Sequence, residues 1–183
     1  CRQALAVSCD CYFYDLSLKV GIDNINETAK KFGLGERYLN DIFNSSKGLI
    51  PSKVWKKEQF GKSWTKTDTI VTSIGQGFSL TSPLQLAVMI SRIAADGKKV
   101  VPTIIKQDLN MKENNDIKDF NKEGISLLKE GMYDAVNTSI GTAYFSRVYN
   151  PEKLMCGKTA TSQVRRISMK EREDGIIKNE DLP

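Results

Sequence analysis

The sequence predicts an α/β (α+β) domain that is helix-rich, with a few strands late in the chain joining a sheet whose other members lie outside these residues. Three observations carry that expectation. Apolar residues recur at helical spacing in four separate stretches between residues 13 and 136. Strand-like segments are confined to residues 100–105 and 158–164. A chain of 183 residues with 40% hydrophobic and 27% charged content has the balance of a soluble globular domain with a sizeable core.

In chain order, residues 2–7 read as a helix end or approach loop. Ser8 and Asp10 are both good helix N-caps. Phe13, Leu16 and Val20 then make a helical stripe that Gly21 stops, and Ile22, Ile25, Ala29 and Phe32 make a second that Gly33 ends. Residues 33–67, rich in Gly, Pro, Ser and Lys, read as a long irregular excursion holding Trp55 and Trp64. These two tryptophans are read as packing anchors or as the lining of a groove. Gly75-Gln76-Gly77 marks a tight turn that shapes the fold. The clearest helix follows: Ser82 caps it, Pro83 takes its first position and Gln85 completes a capping box. Leu86, Met89, Ile90 and Ile93 supply its apolar face, and its nearly apolar circumference predicts burial. Residues 108–122 read as a surface insertion. Ile125, Leu128, Met132 and Val136 mark another helix, and Gly141-Thr142-Ala143 opens a short one. Residues 165–183 are charge-dense, a loop or linker continuing beyond a domain that spans 1–167.

Composition excludes several functions. The net charge of +5 comes from 27 basic against 22 acidic residues, scattered rather than gathered on one face, so no nucleic acid is expected. The four cysteines, Cys1, Cys9, Cys11 and Cys156, form no CxxC pair, and Cys156 is expected to be a buried small residue. With no histidine in the chain, a His-based triad is excluded, and no spacing supports a metal site. No run approaches the ~18 apolar residues of a membrane helix. The opening on Cys1 and the close on Pro183 read as an excerpt from something longer.

The chemistry centres on Lys158-Thr159-Ala160-Thr161. As a strand, it places Thr159 and Thr161 on one face and Lys158 and Ala160 on the other. One cation, two hydroxyls and a very small residue suit an edge that holds an acyl group or carboxylate. The competing reading is a polar edge strand whose lysine discourages aggregation. Likewise, Ser8 and Asp10 are either helix caps or, with Lys158, parts of one cleft.

The order of motifs separates these readings. Ser8-x-Asp10, Ile74-Gly75-Gln76-Gly77, Ser82-Pro83-Leu84-Gln85-Leu86, Gly141-Thr142-Ala143 and Gly157-Lys158-Thr159-Ala160-Thr161 occur in a sequence that resembles the penicillin-binding proteins. The match is to the class B, elongation-specific penicillin-binding protein 2 branch, and it runs from about residue 5 to 167. Ser8-Cys9-Asp10-Cys11-Tyr12-Phe13-Tyr14, Trp55-Lys56-Lys57 and Gly131-Met132-Tyr133 strengthen it. The resemblance implies a penicillin-binding/β-lactamase-like transpeptidase fold, partial, with part of its antiparallel sheet. It implies a serine D,D-transpeptidase that cross-links peptidoglycan stem peptides and is acylated by β-lactams. It implies that Ser8 relays a proton, that Asp10 orients a lysine and the substrate amide, and that Lys158 supplies positive potential for a D-Ala carboxylate. Thr159 and Thr161 would bind that carboxylate beside Ala160, with the Thr161 N–H in the oxyanion hole.

Two departures accompany the resemblance. The family's Ser-x-x-Lys nucleophile motif is absent upstream of Ser8 and is expected before Cys1, so these residues alone should not catalyse. Ala160 replaces the usual Gly. No cofactor is implied. The implied setting is the periplasmic face of the bacterial inner membrane, with an anchor outside these residues and a polytopic membrane glycosyltransferase as partner. A non-catalytic relic or split product, or a binding or scaffold protein of the cell-wall machinery, are the alternatives.

Overall fold

The computed structural model describes residues 1–39, 45–104, 121–150 and 152–162. Its regular structure is helical: α1 (Arg2–Ala6), α2 (Asp10–Val20), α3 (Ile22–Lys31), α4 (Lys53–Phe60), α5 (Lys66–Ser73), α6 (Pro83–Ala94) and α7 (Lys122–Asn137), followed by a 3-10 turn at Tyr144–Ser146.

The α/β expectation is therefore corrected to an almost entirely helical fold. Between described residues, β pairing is a single isolated antiparallel bridge in which Leu49 and Leu80 exchange N–H···O bonds of 2.7 and 2.9 Å. Residues 100–104 and 158–162 find no second strand among the described residues. A strand is stabilised by the ladder it shares with a neighbour, and composition alone cannot supply that neighbour. Residues 105, 163 and 164 of the two expected strands, most of the 108–122 insertion and the whole 165–183 tail lie outside the described residues.

The helix termini follow from local chemistry. Gly21 (φ 79°) ends α2 and Gly61 (φ 65°) ends α4, both in conformations that glycine reaches without steric cost. The Ser82 hydroxyl accepts the Gln85 N–H at 3.2 Å, and the Gln85 carbonyl accepts the Ser82 N–H in return, closing the capping box expected at α6. A second capping box, Thr65 with Asp68, starts α5. Each such cap is worth about 1 kcal/mol. The 33–67 excursion is not wholly irregular, because α4 stands inside it. Ser52 accepts from the Trp55 N–H at its start, a local signal inside a Gly- and Lys-rich stretch.

The buried face of α6 keeps Ile93 of the expected apolar residues, with Met89 half-buried, but is turned away from the other two. Gln85, Val88 and Arg92 are inside, while Leu86 and Ile90 are exposed. The two polar side chains are tolerated because carbonyl oxygens satisfy their donors. Gln85 donates to the backbone oxygens of Glu36 (2.6 Å) and Lys47 (2.9 Å), and Arg92 donates to those of Lys31 (2.8 Å) and Val100 (3.3 Å).

The packing that matters for function is α1 against α7. Gly131 lets α1 come close: a Cβ there would stand 2.7 Å from Leu5 Cδ2 and 3.2 Å from the Arg2 carbonyl. Arg2 grips Asp134 through two N–H donors, at 2.5 and 2.9 Å, and reaches Glu130 at 2.8 Å. That hydrogen bonding holds the Asp134 carboxyl below its ordinary value. Ala6 of α1 and Met132, Ala135 and Val136 of α7 are buried. Two helices about 130 residues apart in the sequence are thereby fixed to one another.

Candidate active site

α1 stops at Ala6, and its last turn delivers Ser8 at φ 54°, a left-handed conformation uncommon for a residue with a side chain. Holding a serine there costs on the order of 1 kcal/mol. The helix-cap reading of Ser8 and Asp10 does not hold. Cys9 occupies the N-cap of α2, no side chain caps that helix, and Asp10 lies in its first turn. The Ser8 hydroxyl is thus free of the helix and points elsewhere.

It points at Lys158. The end of α7 and the turn after it set that residue in place. The Gly157 N–H donates to the Met132 carbonyl at 3.1 Å, and the Asn137 amide donates to the Met155 carbonyl at 2.9 Å. Lys158 Nζ donates to Ser8 Oγ at 2.5 Å, to the Thr159 carbonyl at 3.1 Å and to Thr159 Oγ1 at 3.3 Å. A residue 150 positions away in the chain is the ammonium's nearest partner. The convergence that the Ser8 and Lys158 motifs called for is present.

A third hydroxyl belongs to the cluster and was not singled out from the sequence. Thr142 Oγ1 lies 2.9 Å from Thr159 Oγ1 and 3.3 Å from Ser8 Oγ, and Ser8 and Thr159 are 3.4 Å apart. Backbone bonds place it: the Thr142 N–H donates to the Ala6 carbonyl at 3.1 Å, and the Ala143 N–H to the Ala135 carbonyl at 2.9 Å. The turn fits because residue 141 is glycine. A Cβ at Gly141 would lie within 2.3–2.4 Å of the Ala135 and Asp134 carbonyl oxygens. The only signal in the sequence was the Gly141-Thr142-Ala143 motif itself.

Chemically the cluster is one ammonium facing three hydroxyls. Each hydroxyl both donates and accepts, so a proton entering at Ser8 has an onward path, while the lysine can only donate. Burial lowers the affinity of Lys158 for its proton below that of an ordinary lysine, and the Asp10 carboxylate opposes this through space. Asp10 makes no hydrogen bond to Lys158. Ala160 and Thr161 are exposed beside the cluster, and the Thr161 hydroxyl has no side-chain partner among the described residues. Cys156, expected to be buried, is exposed, and all four cysteines are free. Trp55 packs edge-on against Phe60 and Phe78, and Trp64 donates to Thr69 Oγ1 at 2.8 Å, as packing anchors do. Among the described residues, no group of three or more Cys, Asp or Glu comes together as metal ligands would.

Two Ser-x-x-Lys spacings do occur after Ser8, and neither reaches the cluster. Lys129, after Ser126, is engaged by Asp96 at 2.6 Å and the Ala94 carbonyl at 2.9 Å. Lys66, after Ser63, is an exposed first-turn residue of α5.

Comparison with known proteins bears on this geometry. Residues 1–174 match the family model of the penicillin binding protein transpeptidase domain. The chain is 33% identical over 179 residues to the peptidoglycan D,D-transpeptidase MrdA of Acinetobacter baumannii, covering 93% of this chain and 26% of that protein. Among solved structures, PBP2 of Pseudomonas aeruginosa in complex with WCK 5153 superposes with a TM-score of 0.80 at 31% identity, over 90% of this chain and 38% of that one. The penicillin-binding protein PBP2 of Helicobacter pylori, solved in complex with MreC, gives a TM-score of 0.77 at 33% identity, over 89% of this chain and 30% of that one. The chain spans about a quarter of the length of the curated relatives it matches.

Proposed function

This chain belongs to the penicillin-binding protein transpeptidase family, in its penicillin-binding protein 2 (MrdA) branch, and from that premise we propose that the whole protein is a serine D,D-transpeptidase. Its donor would be a peptidoglycan stem ending in D-Ala-D-Ala. The observation that carries this reading is the 2.5 Å approach of Lys158 Nζ to Ser8 Oγ, joined to the hydroxyls of Thr142 and Thr159.

In the proposed reaction, a serine outside residues 1–183 attacks the penultimate D-Ala carbonyl. An ester forms, and the terminal D-Ala amine departs with a proton. Ser8 hands that proton on, because its hydroxyl can give one proton while receiving another. An acceptor amine on a neighbouring stem then attacks the ester, forming the amide and releasing the serine. Lys158, with Thr159 and Thr161, receives the terminal carboxylate, and the Thr161 N–H faces the oxyanion. Asp10 keeps positive charge on Lys158. A β-lactam enters the first half of this sequence and stops at the ester. The relatives support a periplasmic, membrane-anchored setting within the elongation machinery. A scaffold such as the MreC seen with the Helicobacter pylori protein is one partner, and a polytopic glycosyltransferase is another. Among the described residues no helix is long and apolar enough to cross a membrane.

The test is labelling of the full-length protein with a fluorescent penicillin. The wild type acquires the label, and Lys158→Ala slows acylation by ~100-fold or more, the scale of losing a preorganised donor in such a site. Unchanged labelling of Lys158→Ala would remove this cluster from the mechanism.

A further inference from the structure

The turn that carries Thr142 into the cluster continues into a second arrangement with no structural task of its own. Arg147 is held between two tyrosine rings, its guanidinium carbon 3.7 Å from the Tyr144 centroid and 4.4 Å from that of Tyr149. Its Nη1 donates to the Tyr144 carbonyl at 2.9 Å, which fixes the plane of the fork. No carboxylate pairs with it among the described residues. The flanking Phe145 and Tyr149 are 94% and 79% exposed, so this is a rim and not a core. Stacking between aromatic faces orders an arginine while leaving its outer N–H donors unused, which is how a planar anion is met with little loss of side-chain freedom.

Its distance from the chemistry is bounded. The 141–147 segment is compact: Tyr144 N–H bonds to the Gly141 carbonyl at 3.2 Å, Ser146 N–H to Ala143 at 2.9 Å, and Arg147 N–H to Tyr144 at 3.3 Å. Five residues along such a turn, at ~2 Å per residue, separate Arg147 from Thr142 by on the order of 10 Å of backbone. An extended peptide covers that span in about three residues.

Resting on the transpeptidase reading, we propose that Arg147, clamped by Tyr144 and Tyr149, is a specificity residue that binds a second carboxylate on the acyl-donor stem, two to three residues before the scissile D-Ala-D-Ala bond. The terminal carboxylate belongs to Lys158, and Arg147 takes the one upstream. The clamp matters because a guanidinium that is already oriented can form two parallel hydrogen bonds, which a lysine cannot.

Full-length wild type, Arg147→Gln, Arg147→Lys and Tyr149→Ala would be assayed with two synthetic pentapeptides ending in D-Ala-D-Ala. One bears a free side-chain carboxylate at the third residue and the other the carboxamide, with a simple amine acceptor lacking carboxylates. Wild type should favour the free acid by at least ~10-fold in kcat/KM. Arg147→Gln should erase the preference, lysine should restore only part of it, and Tyr149→Ala should weaken it about threefold. Fluorescent-penicillin acylation, which needs no upstream carboxylate, should stay within twofold of wild type in all variants. An equal loss on both peptides, or an unchanged preference in Arg147→Gln, overturns the proposal while leaving the main site standing. The same peptides would also be run with a carboxylate-bearing amine acceptor; discrimination confined to that arm overturns the assignment to the donor. Failure of the wild type itself to acylate would instead strike at the transpeptidase reading.

Discussion

Lys56 and Lys158 have the same ammonium, each 2.5 Å from an oxygen and each among threonines, yet they do opposite things. Lys56 meets the carboxylate of Asp68, which also accepts from the Thr65 N–H and hydroxyl at 2.7 Å each. Both charged side chains are nearly buried, at 11% and 16% exposure, with Trp64 and Phe78 rings 5.8 Å from the ammonium. That cation is cancelled and ties α4 to the start of α5. Among the described residues Lys158 meets hydroxyls and a carbonyl, with Asp10 acting from a distance. Its charge is not cancelled by a direct carboxylate partner among the described residues. What surrounds a lysine, more than where it falls in a motif, decides whether it holds a fold or binds an anion.

The largest expected effects separate the two. Lys56→Met should strand the Asp68 carboxylate and destabilise the full-length protein by about 2–3 kcal/mol, below the fully buried case because both groups keep some water contact. Denaturant melts would read this loss, and acylation per folded molecule should be unchanged. Lys158→Ala should show the reverse pattern: a collapsed acylation rate and a melt within about 0.5 kcal/mol of wild type, as for a surface substitution. If both variants lose stability equally, the contrast fails.

Next comes pH. Lys158 loses its proton below the ordinary lysine value of 10.5, because burial disfavours the charged form. Acylation rates should therefore fall on an alkaline limb that begins beneath that value, and Lys158→Arg, if active, should move the limb upward. Asp68 behaves differently. Burial pushes its carboxyl up, but the bonds from Lys56 and Thr65 outweigh this and leave it below 3.8. Its contribution to stability is therefore present above pH 3.8 and lost as pH falls through the lower folded value. Acid melts of wild type and Asp68→Asn should converge there. The smallest effect is at Thr142: Thr142→Val should slow acylation about 3–10-fold by removing one member of the hydroxyl chain, with Thr142→Ser restoring it. A rate unchanged by valine would reduce Thr142 to a spacer.

Local signals were readable, and long-range ones were not. The Ser82/Gln85 box and the glycine stops at 21 and 33 are encoded within a few residues, so α2, α3 and α6 could be placed from the sequence. α4 was hidden because its start rests on one serine hydroxyl amid Gly, Pro and Lys. The expected strands failed because pairing requires a neighbour that no window of sequence contains. Hydropathy puts Leu86 and Ile90 of α6 inside with Ile93, and only Ile93 is buried. Burial instead followed the carbonyl oxygens waiting for the Arg92 and Gln85 donors. Within the site, Ser8 and Lys158 came from motif order. Thr142 is an ordinary turn residue until Ala6, far away in the chain, accepts its N–H.

The close contact at Gly131 has a kinetic side. Docking α1 on α7 closes a loop of about 125 residues, one of the most entropically demanding events in folding this chain. Until α1 docks, Ser8 is not held against Lys158, which keeps only the contacts to its neighbour Thr159. The Ser8–Lys158 contact thus depends on that docking. Enlarging Gly131 in the full-length protein should delay the appearance of penicillin reactivity more than the appearance of helix.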